Sequence, residues 1–295
     1  MKCITTANET PVTELANATG THLTYMPRVL RDLKSKGFIK MEKKGSTKNV
    51  FMAETQHAIL LRKLILDQPH LNLYLFSGKA LPILAAINCQ NLRTWEEIME
   101  NSGVSYLTVQ KHFRNFKEMG LIQKKQIYMI SPRFQTVKEI IETYQGYTHR
   151  REAKRLADDA LVKWGCSHCF LLETEKTLDL QATGITAFPQ HGAQFITTKN
   201  LYLSQRMKQD LTLEDHLLYQ VLSDKTNITL PLLITWRLNK DKLDEEKLRE
   251  KAYRYKADYV IESIFDYMET EGLERAQFLP NWAEFTNRYK EYSDG

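Results

Sequence analysis

VTELANATGTHLTYMPRVLRDLKSKGFI (residues 12–39) lies without a gap on WEEIMENSGVSYLTVQKHFRNFKEMGLI (residues 95–122), an internal repeat at an offset of 83. Self-similarity at a fixed offset signals a duplicated structural unit. The apolar positions coincide: Leu15 on Ile98, Ala16 on Met99, Met26 on Val109, Leu30 on Phe113, Leu33 on Phe116 and Ile39 on Ile122. So do the glycines, Gly20 on Gly103 and Gly37 on Gly120. In each copy a short apolar-periodic helix reaches a glycine, where the chain turns sharply, and a second helix of the same spacing follows. That second helix ends at a glycine trailed by two apolar residues, the pattern of a glycine C-cap leading into a strand.

Copy one continues as FIKMEKKGSTKNVFMAE, in which two alternating strands flank the tip Lys43-Lys44-Gly45-Ser46-Thr47-Lys48-Asn49. This predicts a hairpin with a basic loop. Copy two offers only IQKKQIYMIS, a shorter hairpin turning near Lys124 to Gln126. Between the copies the spacing predicts a helix over His57 to Leu66, a break at Asp67-Gln68-Pro69-His70, and a helix over Ala80 to Asn88 that opens copy two. After Pro132, residues 134–145 and 149–164 read as two helices joined at Gly146.

From about residue 165 the pattern becomes mixed. CFLLE, QFITTKNLYLS and TLPLLITWRL read as strands because they are rich in β-branched and aromatic residues. Helices are predicted over Thr183 to His191, Leu213 to Leu222 with Thr212 as N-cap, Asp244 to Tyr255 and Tyr259 to Thr270, with a terminal helix over Phe278 to Tyr289. The resulting expectation is an α+β chain of five parts: a first repeat unit over 1–54, a helical linker over 55–79, a second repeat unit over 80–132, a helical connector over 133–164, and a mixed α+β domain over 165–295.

The composition, 42% apolar and 26% charged, is that of a globular chain and excludes a disordered or fibrous one. Charge is unevenly placed: residues 1–132 hold 18 Lys+Arg against 10 Asp+Glu, whereas the remainder holds 23 against 26. A basic N-terminal part suggests a polyanionic partner, since phosphate attraction is the largest sequence-independent term in nucleic-acid binding. Four scattered cysteines make no disulfide framework, and no stretch reaches the roughly 20 apolar residues of a membrane helix. A cytoplasmic chain with no membrane partner is expected.

The run Gly103-Val104-Ser105-Tyr106-Leu107-Thr108-Val109-Gln110-Lys111-His112-Phe113, closing with Lys117 to Ile122, resembles the winged helix-turn-helix regulators of bacteria and archaea. Residues 12–39 resemble them equally. The resemblance implies tandem winged helices, each with its second helix in the major groove and its hairpin, the wing, on the adjacent backbone. Carried onto matching positions, the DNA-binding candidates are Thr21, His22, Thr24, Tyr25, Arg28 and Arg31 with wing lysines Lys43, Lys44 and Lys48. In copy two they are Ser105, Tyr106, Thr108 and Lys111 with Lys124 and Lys125. Arg and Lys donate to guanine or phosphate, and hydroxyls donate or accept. Thr21, Thr24, Tyr25 and Arg28 share a helical face opposite Met26, Val29 and Leu33, so the polar set can point outward. Pro27 would break a helix interior, which places the start of that helix late, with Thr24 as N-cap and Pro27 third.

Further on, Ala182 to Gly192 and Leu211 to Leu218 resemble archaeal winged-helix proteins with a nucleotidyltransferase-like, antitoxin-related C-terminal domain. That resemblance implies a sequence-specific duplex-DNA-binding regulator acting as a homodimer, whose last domain senses, dimerises or recruits through an effector or protein partner. Its alternative is a nucleotidyltransferase-like enzyme or toxin–antitoxin component with autoregulatory winged helices. Active nucleotidyltransferases need a Gly-Ser turn before closely spaced carboxylates that hold magnesium. Glu173 and Glu175 have no such turn before them, so no catalysis and no cofactor are expected. Cys166-Ser167-His168-Cys169 is one pair where structural zinc commonly takes two, and it reads as buried rather than metal-binding. Glu214 and Asp215 open an amphipathic helix, where carboxylates favour the positive end of the dipole, and they read as capping residues.

Overall fold

The computed structural model describes residues 1–6, 9–45, 47–167, 169–205 and 210–293, so Ser46 and His168 of the sequence motifs lie outside the described residues. The chain is mixed α and β with small antiparallel sheets. It divides into two compact units, one of Met1–Asn88 with Val104–Thr148 and one of Cys89–Gly103 with His149–Gly295.

The chain runs through α1 (Lys2–Thr6), β1 (Thr10–Pro11), α2 (Val12–Thr19), α3 (Met26–Ser35), β2 (Ile39–Lys44) and β3 (Thr47–Met52). The strands form an antiparallel sheet in the order β1-β3-β2. Then come α4 (Gln56–Asp67), α5 (Ala80–Cys89), α6 (Trp95–Ser102), α7 (Tyr106–Glu118) and a two-stranded hairpin of β4 (Ile122–Lys124) and β5 (Tyr128–Ile130). Shifting α2 by 83 residues lands on α6 end for end, and Ile39, which opens β2, lands on Ile122, which opens β4.

The equivalence extends to the backbone. Gly20 and Gly103 both sit in the left-handed region, at φ 62° and 64°, where a side chain would be strained. The ends of α3 and α7 use the same two capping bonds: Gly37 N to Lys34 O with Phe38 N to Leu33 O, and Gly120 N to Lys117 O with Leu121 N to Phe116 O. This is the paired 5→2 and 6→1 arrangement that a left-handed glycine permits. Leu30 and Phe113, Met26 and Val109, and Ile39 and Ile122 are buried in register.

The copies differ where the second helix begins. α7 starts at Tyr106, but its equivalent, Leu23, precedes α3 by three residues. Were α3 to begin at Leu23, Pro27 would be its fifth residue, where the ring clashes with the carbonyl four positions back and the missing amide breaks a bond. The helix therefore starts at Met26 with Pro27 second, and the amides of Tyr25 and Met26 both bond the His22 carbonyl in a preceding turn. The expected N-cap role of Thr24 is corrected: Tyr25 occupies the cap with no side-chain bond, and the Thr24 hydroxyl lies 2.7 Å from His22 Nδ1.

Two helices joined at Gly146 are also corrected. One helix, α8 (Gln135–Leu156), runs through Gly146, and part of the second predicted helix is instead strand β6 (Leu161–Gly165). A glycine inside a helix costs only about 1 kcal/mol, and burial of Val137, Ile140, Ile141 and Ala153 outweighs it.

In the second unit β6, β7 (Cys169–Thr174), β8 (Gln181–Ala182) and β9 (Asn200–Gln205) form an antiparallel sheet in the order β6-β7-β9-β8. The helices α9 (Leu213–Ser223), α10 (Leu230–Leu238), α11 (Glu245–Arg254), α12 (Asp258–Glu269) and α13 (Trp282–Ser293) follow. A core including Leu171, Leu203, Leu217, Leu233, Ile264 and Phe285 unites the sheet with them.

Two predicted elements change type. TLPLLITWRL is helix α10, not a strand. Residues Leu232 to Trp236 are buried at consecutive positions, so the run carries no periodicity to separate helix from strand. Pro231 sits at its N-terminal turn, where a missing amide costs nothing, whereas in a central strand it would remove a ladder bond. Thr183 to His191 is not one helix but two 3-10 turns, Gly184–Thr186 and Phe188–His191, separated at Ala187; Pro189 sits in the first positions of the second, which Gly192 closes at φ 82°.

Candidate nucleic-acid interface

In copy one, burial of Met26 and Leu30 turns the opposite face of α3 outward, and Arg28 and Arg31 lie exposed on it. Thr21, His22, Thr24 and Tyr25 are not on the helix but in the turn before it; Thr21 is partly buried and the other three are exposed. In copy two Ser105 is the N-cap residue, while Tyr106, Thr108 and Lys111 lie within the first two turns of α7. Val109, Phe113 and Phe116 bury the other side.

The structure gathers the lysines of the β2–β3 hairpin. Lys43 and Lys48 are directly paired across the β2–β3 ladder, with Lys44 opposite Thr47 at the tip. All three ammonium-bearing residues are exposed. Like charges placed directly opposite one another destabilise a sheet; Glu9 lies 3.9 Å from Lys44 Nζ. Glu9 also accepts a hydrogen bond from the side-chain amide of Asn49, the neighbour of Lys48 on β3. The second hairpin is clipped as expected: Lys124 ends β4 with its Nζ over the Tyr128 ring at 4.7 Å, and Lys125 lies in the turn.

Sequence reasoning named Tyr25 and Tyr106 but missed their aliphatic neighbours, Leu23 and Leu107, at the head of the two second helices. Leu23 and Tyr25 in copy one and Tyr106 and Leu107 in copy two are about half exposed or more, Leu107 at 75%. The only signal was local: Leu107 falls off the stripe of α7 that Val109, Phe113 and Phe116 bury, and Leu23 lies in the turn before α3.

The second unit holds a different polar cluster. Burial lowers the His216 imidazole to about 4, with the neighbouring His191 adding to the effect. With the Gln190 amide nitrogen donating to His216 Nε2 at 2.7 Å, Nδ1 carries the proton and donates to Thr183 Oγ1 at 3.2 Å. Around it, Asn239 Nδ2 donates to the His191 carbonyl and Gln220 Oε1 accepts from the Ile185 amide. Thr212 and Asp215 form a capping box at the head of α9. Capping is not their whole role, for Asp215 is ion-paired with Lys251 and Glu214 with Lys247, tying α9 to α11. Burial alone would raise the Glu214 carboxyl; the Thr212 hydroxyl, the Asp244 amide and Lys247 hold it below the usual range instead. Glu173 is flanked by Lys163 and Lys199. Cys166 and Cys169 are buried with their Sγ atoms 3.5 Å apart, and among the described residues no group of three metal-ligating side chains forms.

Residues 177–293 match a family model described as HVO_2833_C, C-terminal. The matched segment lies within the second unit and contains both motifs that build the His191–His216 cluster. No curated protein and no solved structure matches the chain. No helix among the described residues is long and apolar enough to cross a membrane.

Proposed function

We propose that the chain is a sequence-specific, duplex-DNA-binding transcriptional regulator, cytoplasmic and homodimeric. Residues 12–52 act in it as a winged helix, with α3 as the recognition helix and the β2–β3 hairpin as the wing. The second repeat copy offers α7 and the β4–β5 hairpin for the same two parts. Its first helix, α6, is anchored within the second compact unit by the Asn91–Tyr253, Glu97–Arg254 and Asn101–Ser167 contacts, and this suits a supporting reader. The second compact unit senses, dimerises or recruits.

The observation that carries this reading is the exposed Lys43–Lys48 cross-strand pair with Lys44 beside it. A hairpin that places like charges opposite each other bears a cost that a phosphate backbone relieves, because each ammonium that meets a phosphate also releases a condensed counterion. Arg28 and Arg31 add cations on the face of α3 that the core leaves outward. Fluorescence anisotropy of a labelled mixed-sequence duplex tests it: binding is expected at about 50 mM salt and weakens log-linearly as salt rises, with a slope of about −0.9 per phosphate met. No anisotropy change with any duplex at low salt overturns it.

A further inference from the structure

The hydroxyl and imidazole groups at the head of the two recognition helices are engaged with one another. His22 Nδ1 lies 2.7 Å from the Thr24 hydroxyl and also accepts from the Thr24 amide. At the equivalent place in copy two, Ser105 and Thr108 share a hydroxyl–hydroxyl bond of 3.1 Å. His22 and Ser105 occupy the same repeat position, so both copies tie their first polar residue back into the turn. Beside these bonds each head exposes large aliphatic and aromatic side chains, Leu23 and Tyr25 in one copy and Tyr106 and Leu107 in the other. Leu23 aligns with Tyr106, and in the next two positions the copies exchange order: Thr24-Tyr25 in one, Leu107-Thr108 in the other.

Four of the eleven exposed large hydrophobic side chains among the described residues thus fall in two windows of at most three residues at one repeat position. Scattered single exposures need no explanation, but a repeated pair does. Cations follow on both helices, Arg28 and Lys111 at equivalent positions and Arg31 and Arg114 one turn on, all exposed. An apolar tip backed by guanidinium and ammonium groups fits a surface that is apolar inside an anionic frame, which is what the major groove presents at thymine, whose C5 methyl lies between two phosphate rows.

We infer that Leu23, Tyr25, Tyr106 and Leu107 are specificity-determining residues that read thymine methyl groups, so that the DNA sites this protein prefers are rich in A·T pairs at the positions under the two helix heads. The inference rests on the DNA-binding reading above. Burying one methyl against a side chain is worth about a fourfold gain in affinity, so several such contacts separate thymine from uracil, which lacks only that methyl.

The test uses the full chain. A duplex recovered from a random pool is remade with deoxyuridine in place of every thymidine, and affinity for the two is compared. Loss of about fourfold per contacted thymine is expected, and the Leu23→Ala/Leu107→Ala variant, whose replaced side chains are exposed, binds the two duplexes with more nearly equal affinity. Equal affinity of the unaltered protein for both duplexes overturns the inference while leaving the DNA-binding reading intact. Failure to recover any bound duplex overturns that reading itself. If the double variant keeps the full thymine preference but sediments at a lower mass than the parent, the apolar heads belong to self-association and the inference falls.

Discussion

Replacing Lys43, Lys44 and Lys48 together by alanine is expected, on the DNA-binding proposal, to lower affinity for every duplex, specific or not, by on the order of 10²-fold at about 0.1 M salt. Near that concentration each phosphate neutralised carries a little under one power of ten in affinity. Lys44 already has Glu9 at 3.9 Å, so Lys43 and Lys48 supply most of the effect. The same variant reduces the salt slope by two to three counterions, about −0.9 for each. Its folding is not impaired, because removing directly opposed like charges from an exposed ladder leaves hairpin stability the same or slightly higher, within about 0.5 kcal/mol. Electrophoretic shift across a salt series, with thermal unfolding as the control, measures both. Unchanged affinity with an unchanged slope removes the wing from the interface.

Acid is expected to unfold the second unit through a histidine it keeps neutral. His216 is buried, and burial brings its imidazole from the usual 6.5 to about 4. Between those values the unfolded chain binds a proton that the folded one refuses. Stability therefore falls as pH drops from about 6.5 and levels off below about 4, by about 3 kcal/mol for a shift of this size. His149, which burial likewise brings to about 4, acts in the same direction. Carboxylates titrate lower, so the window from pH 6.5 to 5 isolates the histidines. Urea unfolding followed by fluorescence of Trp236, buried in this unit's core, reports a midpoint that falls across that window and falls less in a His216→Gln variant. A midpoint that stays level between pH 7 and 5 contradicts the buried neutral imidazole.

The repeat was legible because it is written in local terms. Gly20 with Gly103 and Gly37 with Gly120 mark positions that require left-handed backbone, and Leu30 with Phe113 keeps the helical period that a buried face imposes. The capped end of each second helix, and the hairpin after it, follow from those residues alone. Where apolar residues run unbroken the period vanishes, and residues 230–238 read as a strand although Pro231 favours a helix start. Gly146 misled in the opposite sense, because a residue that ends helices on the surface is tolerated inside a well-packed one.

The candidate interface was only partly legible. Sequence spacing placed Arg28, Arg31 and the wing lysines, but the pairing of Lys43 with Lys48 depends on ladder register, and the bonds that occupy Thr24, Ser105 and Thr108 depend on where each helix starts. The His216 cluster joins Thr183, Gln190 and Gln220 from separate elements, and no single window of sequence shows a site assembled that way.

Selecting bound duplexes from a random pool with the unaltered protein and, in parallel, with an Arg28→Ala variant tests most directly that α3 reads base sequence. Recovery of a defined motif by the first and of a motif relaxed at one or two positions by the second is the predicted result, with each lost contact worth about 1–3 kcal/mol. Recovery of the same motif by both proteins, or of none by either, contradicts it.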